Sequence, residues 1–203
     1  MFVSIILPSR LRYSRLIKCV RSITSSADNP LDIEFCIRIH NDDLECVHNL
    51  RGIIEAAAPA IARFVVGPPY SYGKLSQSYQ DCADIAHGDW VWVMNDDVQC
   101  DSKGWDTLLR QMPADGYIVQ PEMHQLGSSG YHEDVDCPFM FLPNKCWQKF
   151  GVFKFETPFD NALWSLLRRN GWGTKFLPGV KVHHDRDGEL VRKERESDPM
   201  ENL

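Results

Sequence analysis

The chain has 203 residues, 43% of them hydrophobic, and a formal net charge of -6. That length suits one domain with a sizeable core better than two, and the acidic balance argues against nonspecific binding to nucleic acid or to an anionic membrane. The 7 cysteines are odd in number and show no C-x-x-C spacing, so they suggest neither a disulfide framework nor a zinc cluster. They fit small hydrophobes in a reducing compartment, with cytoplasm as the expected location.

Phe2 to Leu7 reads as a buried strand stopped by Pro8-Ser9, and Tyr13 to Ser25 carries Leu16, Ile17, Val20 and Ile23 at helical spacing. Met1 to Leu7 is too short for a signal-peptide core and lacks a basic leader. No later run approaches the roughly 20 apolar residues of a spanning helix, so a soluble chain without a transmembrane segment is expected. Asp28-Asn29-Pro30 is a turn, Ile33 to Ile39 a second strand, and Leu44 to Ala58 a second helix ended by Pro59. Ile61 to Val66 gives a third strand, Lys74 to Ala86 a third helix closed by Gly88, and Trp90 to Met94 a fourth strand. Strands alternating with helices predict an α/β domain with a mostly parallel central sheet and helices on both faces.

The later pattern is less regular. It predicts a helix near Trp105 to Met112, a strand near Tyr117 to Gln120, and a Gly/Ser-rich loop at Gly127 to Gly130. A strand follows at Cys137 to Leu142, then helices at Lys145 to Phe150 and Asp160 to Asn170, and a late strand at Thr174 to Leu177. From Asp185 onward charge dominates, which reads as a frayed tail or a solvated helix.

The segment that carries most chemistry is Trp90 to Asp97, an apolar run ending in Asn95-Asp96-Asp97. Ligands of open α/β sheets gather beyond the carboxyl ends of the strands. Two adjacent acids there repel unless compensated, and a hard divalent cation is one compensation; the alternative is a turn. Arg10, Arg12 and Arg15 crowd the start of the first helix, where the macrodipole disfavours cations, so they either snorkel into water or hold an anion. His40-Asn41-Asp42-Asp43 closes the second strand, as a helix cap or as acceptors for a nucleoside. Tyr70, Tyr72, Gly73 and Lys74 add aromatic faces and a cation. Neither G-x-G-x-x-G nor a P-loop occurs. His183-His184 after a strand is a surface pair or, with the acids upstream, part of a Mn²⁺ shell.

Taken together, Val3-Ser4-Ile5-Ile6-Leu7-Pro8-Ser9-Arg10, then Ala86-His87-Gly88-Asp89-Trp90 through Asn95-Asp96-Asp97, then Thr157-Pro158-Phe159-Asp160 with Leu167 to Trp172, and last Pro178 to His184 resemble in order the family 2 glycosyltransferases of the GT-A fold. The resemblance implies a single GT-A-type domain over 1–184. It would comprise a Rossmann-like nucleotide-sugar-binding half at 1–98 and a smaller acceptor half at 99–184, with 185–203 as a charged tail. It implies a metal-dependent, inverting transfer from a nucleotide-diphosphate sugar to the hydroxyl of a glycan, lipid-linked or other acceptor. Asp160 would be the general base. Pro8, Ser9, Arg10, Asn41, Asp42, Lys74 and Asp96 would meet the nucleotide sugar. Asp97 with His184, or its rival His183, would hold Mn²⁺ or Mg²⁺. Acceptor specificity normally lies in loops, where Trp105, Tyr131 and His132 would line a sugar subsite, with a core position as the alternative reading of Trp105.

The chain departs from the family pattern at Asn95, where the metal motif often starts with Asp, at His40-Asn41 in place of two acids, at Phe159, and at Gln80. These mark a divergent member. The alternatives are a nucleotide-sugar or glycan-binding module without turnover, and a metal-dependent phosphohydrolase using Asp96, Asp97, His183 and His184. A sugar-nucleotide pyrophosphorylase would need a Gly-rich phosphate loop that is missing here.

Overall fold

Strands buried on both faces form the centre of the sheet, as their continuous apolar runs require. The computed structural model describes residues 1–71, 74–125, 131–132, 137–150 and 159–184. Strand β1 (Val3–Ser9) lies between β2 (Ile33–His40) and β4 (Trp90–Val93), parallel to both, with Val3 opposite Ile33 on one side and Trp90 on the other. Strand β3 (Ile61–Gly67) pairs parallel to β2 at the edge, where alternate exposure replaces full burial.

Beyond β4 the sheet continues through β8 (Phe141–Pro143), β6 (Tyr117–Gln125), β9 (Gly173–His184) and β5 (Val98–Cys100), with β7 (Tyr131–His132) paired to β6. The long ladders among the described residues are parallel, and the antiparallel ones span at most three residue pairs. The expected mostly parallel sheet is therefore present.

Alternation along the strands divides the core in two. Val3, Ile5, Leu7, Trp90 and Trp92 face α1 (Tyr13–Ser26), α3 (Leu50–Ala57) and the short α5 (Trp105–Leu109) through Leu16, Val20, Ile23, Ile53 and Trp105. Ile6, Val91 and Val93 face the opposite layer of α4 (Leu75–Asp84), α6 (Asn144–Phe150) and α7 (Phe159–Arg169), meeting Tyr79, Cys82, Cys146, Leu163 and Trp164. All seven cysteines are free and buried. No described helix is long and apolar enough to cross a membrane.

Four elements differ from the sequence reading. The predicted helix over 44–58 is two helices, α2 (Leu44–His48) and α3, because Asn49 turns its amide Nδ2 back onto the Glu45 carbonyl at 2.8 Å and caps α2. Gly52 lets α3 approach α1, since a Cβ there would collide with the Tyr13 hydroxyl. The late strand does not stop at Pro178. A register shift opposite Pro121 and Glu122 takes up the proline, Gly179 adopts φ 83° and donates its N–H to Glu122 Oε1 at 2.8 Å, and pairing resumes through His184. The histidine pair therefore lies inside a strand rather than after one. The predicted strand over 137–142 shortens to β8, and β5 was not expected. The Gly127–Gly130 loop and the tail from Asp185 lie outside the described residues.

Candidate active site

Because β1 and β4 run parallel in register, their carboxyl ends emerge side by side. Ser9 ends β1, and its Oγ donates to Asp96 Oδ2 at 2.7 Å. The chain then turns so that Arg12, at the start of α1, donates through Nη1 to Asp96 Oδ1 at 3.1 Å and lies 3.6 Å from Asp97 Oδ2. From β9, His184 places Nε2 3.3 Å from Asp97 Oδ1, an arrangement that follows from the pairing of His184 with Val98 on β5.

Both acids are almost enclosed, Asp96 at 4% and Asp97 at 7% exposure. Burial pushes the Asp96 carboxyl up to about 6, with Arg12 opposing and Asp97 adding to the rise. For Asp97, burial also favours the neutral acid, but His184, Arg12 and Arg15 outweigh it and hold the carboxyl below its usual range. Asn95 belongs to the scaffold: its Oδ1 accepts from the Tyr79 hydroxyl, which also bonds the Met94 carbonyl at 3.1 Å.

The second strand end is joined to the first by carboxylates. Arg10 Nη2 donates to Asp42 Oδ2 at 2.8 Å. Asp43, fully buried, accepts the Leu11 N–H on Oδ2 at 2.6 Å and the Cys46 N–H on Oδ1 at 3.0 Å. Its first bond holds Leu11 at φ 57°, a conformation that β-carbon sterics disfavour. His40 is buried edge-on to the Tyr70 ring at 6.2 Å. Burial, with Arg38 and Arg10 nearby, pushes its pKa down to about 4, so the ring is neutral at physiological pH.

Arg38 is 1% exposed and ties this corner together. Its Nε donates to Asp81 at 2.8 Å, Nη2 to the Pro68 carbonyl at 2.7 Å, and Nη1 to the Gly67 carbonyl at 3.2 Å and to that of Ile39, while the guanidinium lies 5.2 Å over the Tyr70 ring. The sequence reading missed Arg38, whose signal was a cation inside the otherwise apolar run Ile37-Arg38-Ile39; of the cluster His40 to Asp43, Asp43 fulfils the helix-cap reading by accepting the Cys46 N–H at the start of α2 (Leu44–His48).

Of the other sequence-identified residues, Pro8 is buried in β1 opposite Arg38. Asn41 is exposed, with its N–H on the Gly67 carbonyl at 2.8 Å. Lys74 is exposed immediately before α4. His183 does not join Asp97 and His184: adjacent strand residues point to opposite faces, and its Nδ1 lies 3.1 Å from His124 Nδ1 with the rings stacked. Among the described residues, no three His, Cys, Asp or Glu side chains converge on one point.

Trp105 is a core residue. It is 0% exposed, packs 4.7 Å from the Trp92 ring and donates its indole N–H to the Ile23 carbonyl at 3.1 Å, which leaves no face for an acceptor. Tyr131 pairs with His124 and His132 with Met123, so β7 lies one strand from the histidines of β9. Asp160 falls in the first turn of α7; residues 151–158, which lead into it, are outside the described set.

The sequence model described as "Glycosyl transferase family 2" matches residues 4–155. Among solved structures, S. aureus TarS 1-349 superposes with a TM-score of 0.70 at 10% identity, over 90% of this chain and 60% of that one. Its complex with UDP gives 0.67 at 12% identity over 90% and 60%, and its complex with UDP-GlcNAc gives 0.69 at 10% identity over 95% and 61%. At such identities the likeness is one of fold, and the chain spans about 60% of the length of these structures. No curated protein sequence matches.

Proposed function

The chain belongs to glycosyl transferase family 2, and on that premise we propose that it transfers a sugar from a nucleotide-diphosphate donor to an acceptor hydroxyl, with inversion. The observation that carries this reading is the meeting of Ser9, Arg12, Asp96, Asp97 and His184 at the carboxyl edge of the parallel strands, where α/β sheets bind ligands. That TarS has been crystallised with UDP and with UDP-GlcNAc supports a uridine nucleotide sugar as the first donor to test.

The residues present fit a divalent ion. Asp97 Oδ1 is buried without a hydrogen-bond partner, and it lies 3.3 Å from His184 Nε2. Two such lone-pair donors side by side suit Mn²⁺ or Mg²⁺, with diphosphate oxygens supplying further ligands. Asp97 and His184 would hold the ion, which when bound offsets the charge developing on the diphosphate leaving group. Asp96, fixed by Ser9 and Arg12, would orient the ribose or the diphosphate. Asp160, at the start of α7, would take the acceptor proton as the acceptor oxygen bonds the anomeric carbon and the bond to the diphosphate breaks. A single displacement of this kind inverts the anomeric centre.

Asp160→Asn is expected to retain donor binding and to lose transfer by at least about 10²-fold, the usual contribution of a general base. The assay follows product sugar and released nucleoside diphosphate separately, so hydrolysis is distinguished from transfer. Undiminished transfer in the variant would remove Asp160 from its role.

A further inference from the structure

We propose that the outer edge of β3 is a self-pairing surface, on which a second copy of this chain adds its own β3 antiparallel and joins the two sheets into one. The inference is independent of the transferase reading. Edge strands are normally protected by shortness, lysine, proline or a bulge. Strand β3 has none of these: it reads Ile61-Ala62-Arg63-Phe64-Val65-Val66-Gly67, pairs with β2 without a register shift, and meets no described strand on its other side. Its one charge, Arg63, turns back to Glu34 of β2, with Nε donating to Oε2 at 2.8 Å. Ile61 and Val66 are exposed.

The main chain decides which residues can pair. The Asn41 N–H donates to the Gly67 carbonyl at 2.8 Å, so Gly67 directs its polar groups toward β2. By the alternation of a parallel ladder Ile61, Arg63 and Val65 do the same, while Ala62, Phe64 and Val66 turn N–H and C=O outward. A two-fold axis at Phe64 sets Phe64 against its own copy and Ala62 against Val66 of the second copy, each pair exchanging two hydrogen bonds. Arg63 then faces Val65 of the second copy, and Pro59 faces Pro69, so the ladder ends where neither residue has an N–H to give. Shifting the axis to Arg63 would oppose two arginines, which is unfavourable. Shifting it to Val65 would oppose Ala62 and Pro68 and waste the outward groups of Ala62. The axis at Phe64 uses every outward group and opposes no like charges, which is the self-complementarity an isologous interface requires. The Phe64 pair adds an aromatic cross-strand contact. Helix α3, which packs on β3 and carries the exposed Ile54, lies on the same face of the sheet in both copies.

The test is sedimentation of the full chain from micromolar to millimolar concentration, for the unmodified protein, Val65→Lys and Val65→Glu. Val65 belongs to neither core layer, and by symmetry each substitution counts twice. A monomer–dimer equilibrium is expected. Val65→Lys, which puts a second cation against Arg63, should weaken it about tenfold, and Val65→Glu should strengthen it about tenfold. Register is read separately by mixing Ala62→Cys chains with Val66→Cys chains under oxidised glutathione. The mixture should give a disulfide-linked dimer and neither variant alone should, the native cysteines all being buried; this pair carries the test if a Val65 variant does not fold. A chain that stays monomeric throughout, a dimer that responds equally to both Val65 substitutions, or a cross-link that is absent from the mixture or forms as readily from one variant alone would overturn the inference. So would amide exchange at Ala62, Phe64 and Val66 that is already slow in the monomer, since another segment of the same chain would then occupy the edge.

Discussion

Replacing Arg38 by Met keeps most of the side-chain volume and removes the charge at the corner where β2, β3 and α4 meet. The guanidinium makes four hydrogen bonds, to Asp81 and to the carbonyls of Ile39, Gly67 and Pro68. At about 1.5–3 kcal/mol for each bond involving a charged group, the gross loss would approach 10 kcal/mol. Two observations reduce it. Asp81 is 27% exposed and can be rehydrated, and Gly67-Pro68 lies where edge strand β3 ends, so water can reach those carbonyls. The buried Ile39 carbonyl and the loss of stacking on Tyr70 remain. The net cost is expected to be about 3–5 kcal/mol, as for other buried pairs broken from one side. For a domain of this size that corresponds to a fall in Tm of roughly 6–20 °C. Urea unfolding of the unmodified protein, Arg38→Met and Arg38→Lys measures it, with Lys recovering less than half because it cannot fork between Asp81 and the carbonyls. A loss below about 1 kcal/mol for Arg38→Met would refute the assignment of Arg38 as the tie between the strand ends.

Three further outcomes follow from the geometry. Asp106 is fully buried and accepts the N–H groups of Asp28 and Asn29, each at 2.8 Å, so Asp106→Ala should cost about 2–3 kcal/mol in urea unfolding; a change within 0.5 kcal/mol would show that the turn holds itself. His40 has its pKa lowered to about 4 by burial and by Arg38 and Arg10. Its unfolded form takes up a proton first on acidification, so stability should fall between about pH 6.5 and 4, by at most about 3 kcal/mol, and His40→Gln should flatten that slope. Glu34 is held low against burial by Ser4, the His87 N–H and Arg63. Its contribution should persist above the unfolded carboxylate pKa and disappear as the pH drops through the folded value, so the unfolding midpoint of Glu34→Gln should lie below that of the unmodified protein at neutral pH and approach it as the pH falls through that range.

The parallel half of the sheet was legible because Val3 to Leu7, Ile33 to Ile39 and Trp90 to Met94 are apolar without alternation, which only a strand covered on both faces allows. What escaped depends on interactions that a linear pattern does not encode. The break at Asn49 comes from its amide returning to the Glu45 carbonyl, and β9 continues past Pro178 because a bulge against Glu122 absorbs it. The candidate site was legible to the same degree. Asp96 and Asp97 stand out as acids ending a buried strand. The separation of His183 from His184, in contrast, required knowing that both lie within a strand, and the choice between acceptor contact and core for Trp105 fell to core only through its packing on Trp92 and Phe141. The cap role of Asp43 was legible in the polar cluster before α2, but its bond to the Leu11 N–H was not, because that main-chain group is 32 residues away.

The segment Arg10-Leu11-Arg12 divides its allegiance: Arg10 goes to Asp42 beyond β2, the Leu11 N–H to Asp43, and Arg12 to Asp96 and Asp97 beyond β4. Two successive residues serve the end of β2 and the third the end of β4, so length matters here more than identity. A glycine at position 11 would keep every one of these main-chain and cationic contacts and accept the positive φ without strain. One inserted residue would send both arginines to the wrong side at once. In natural variation or in engineering, this clasp should tolerate substitution at its middle and resist any insertion or deletion.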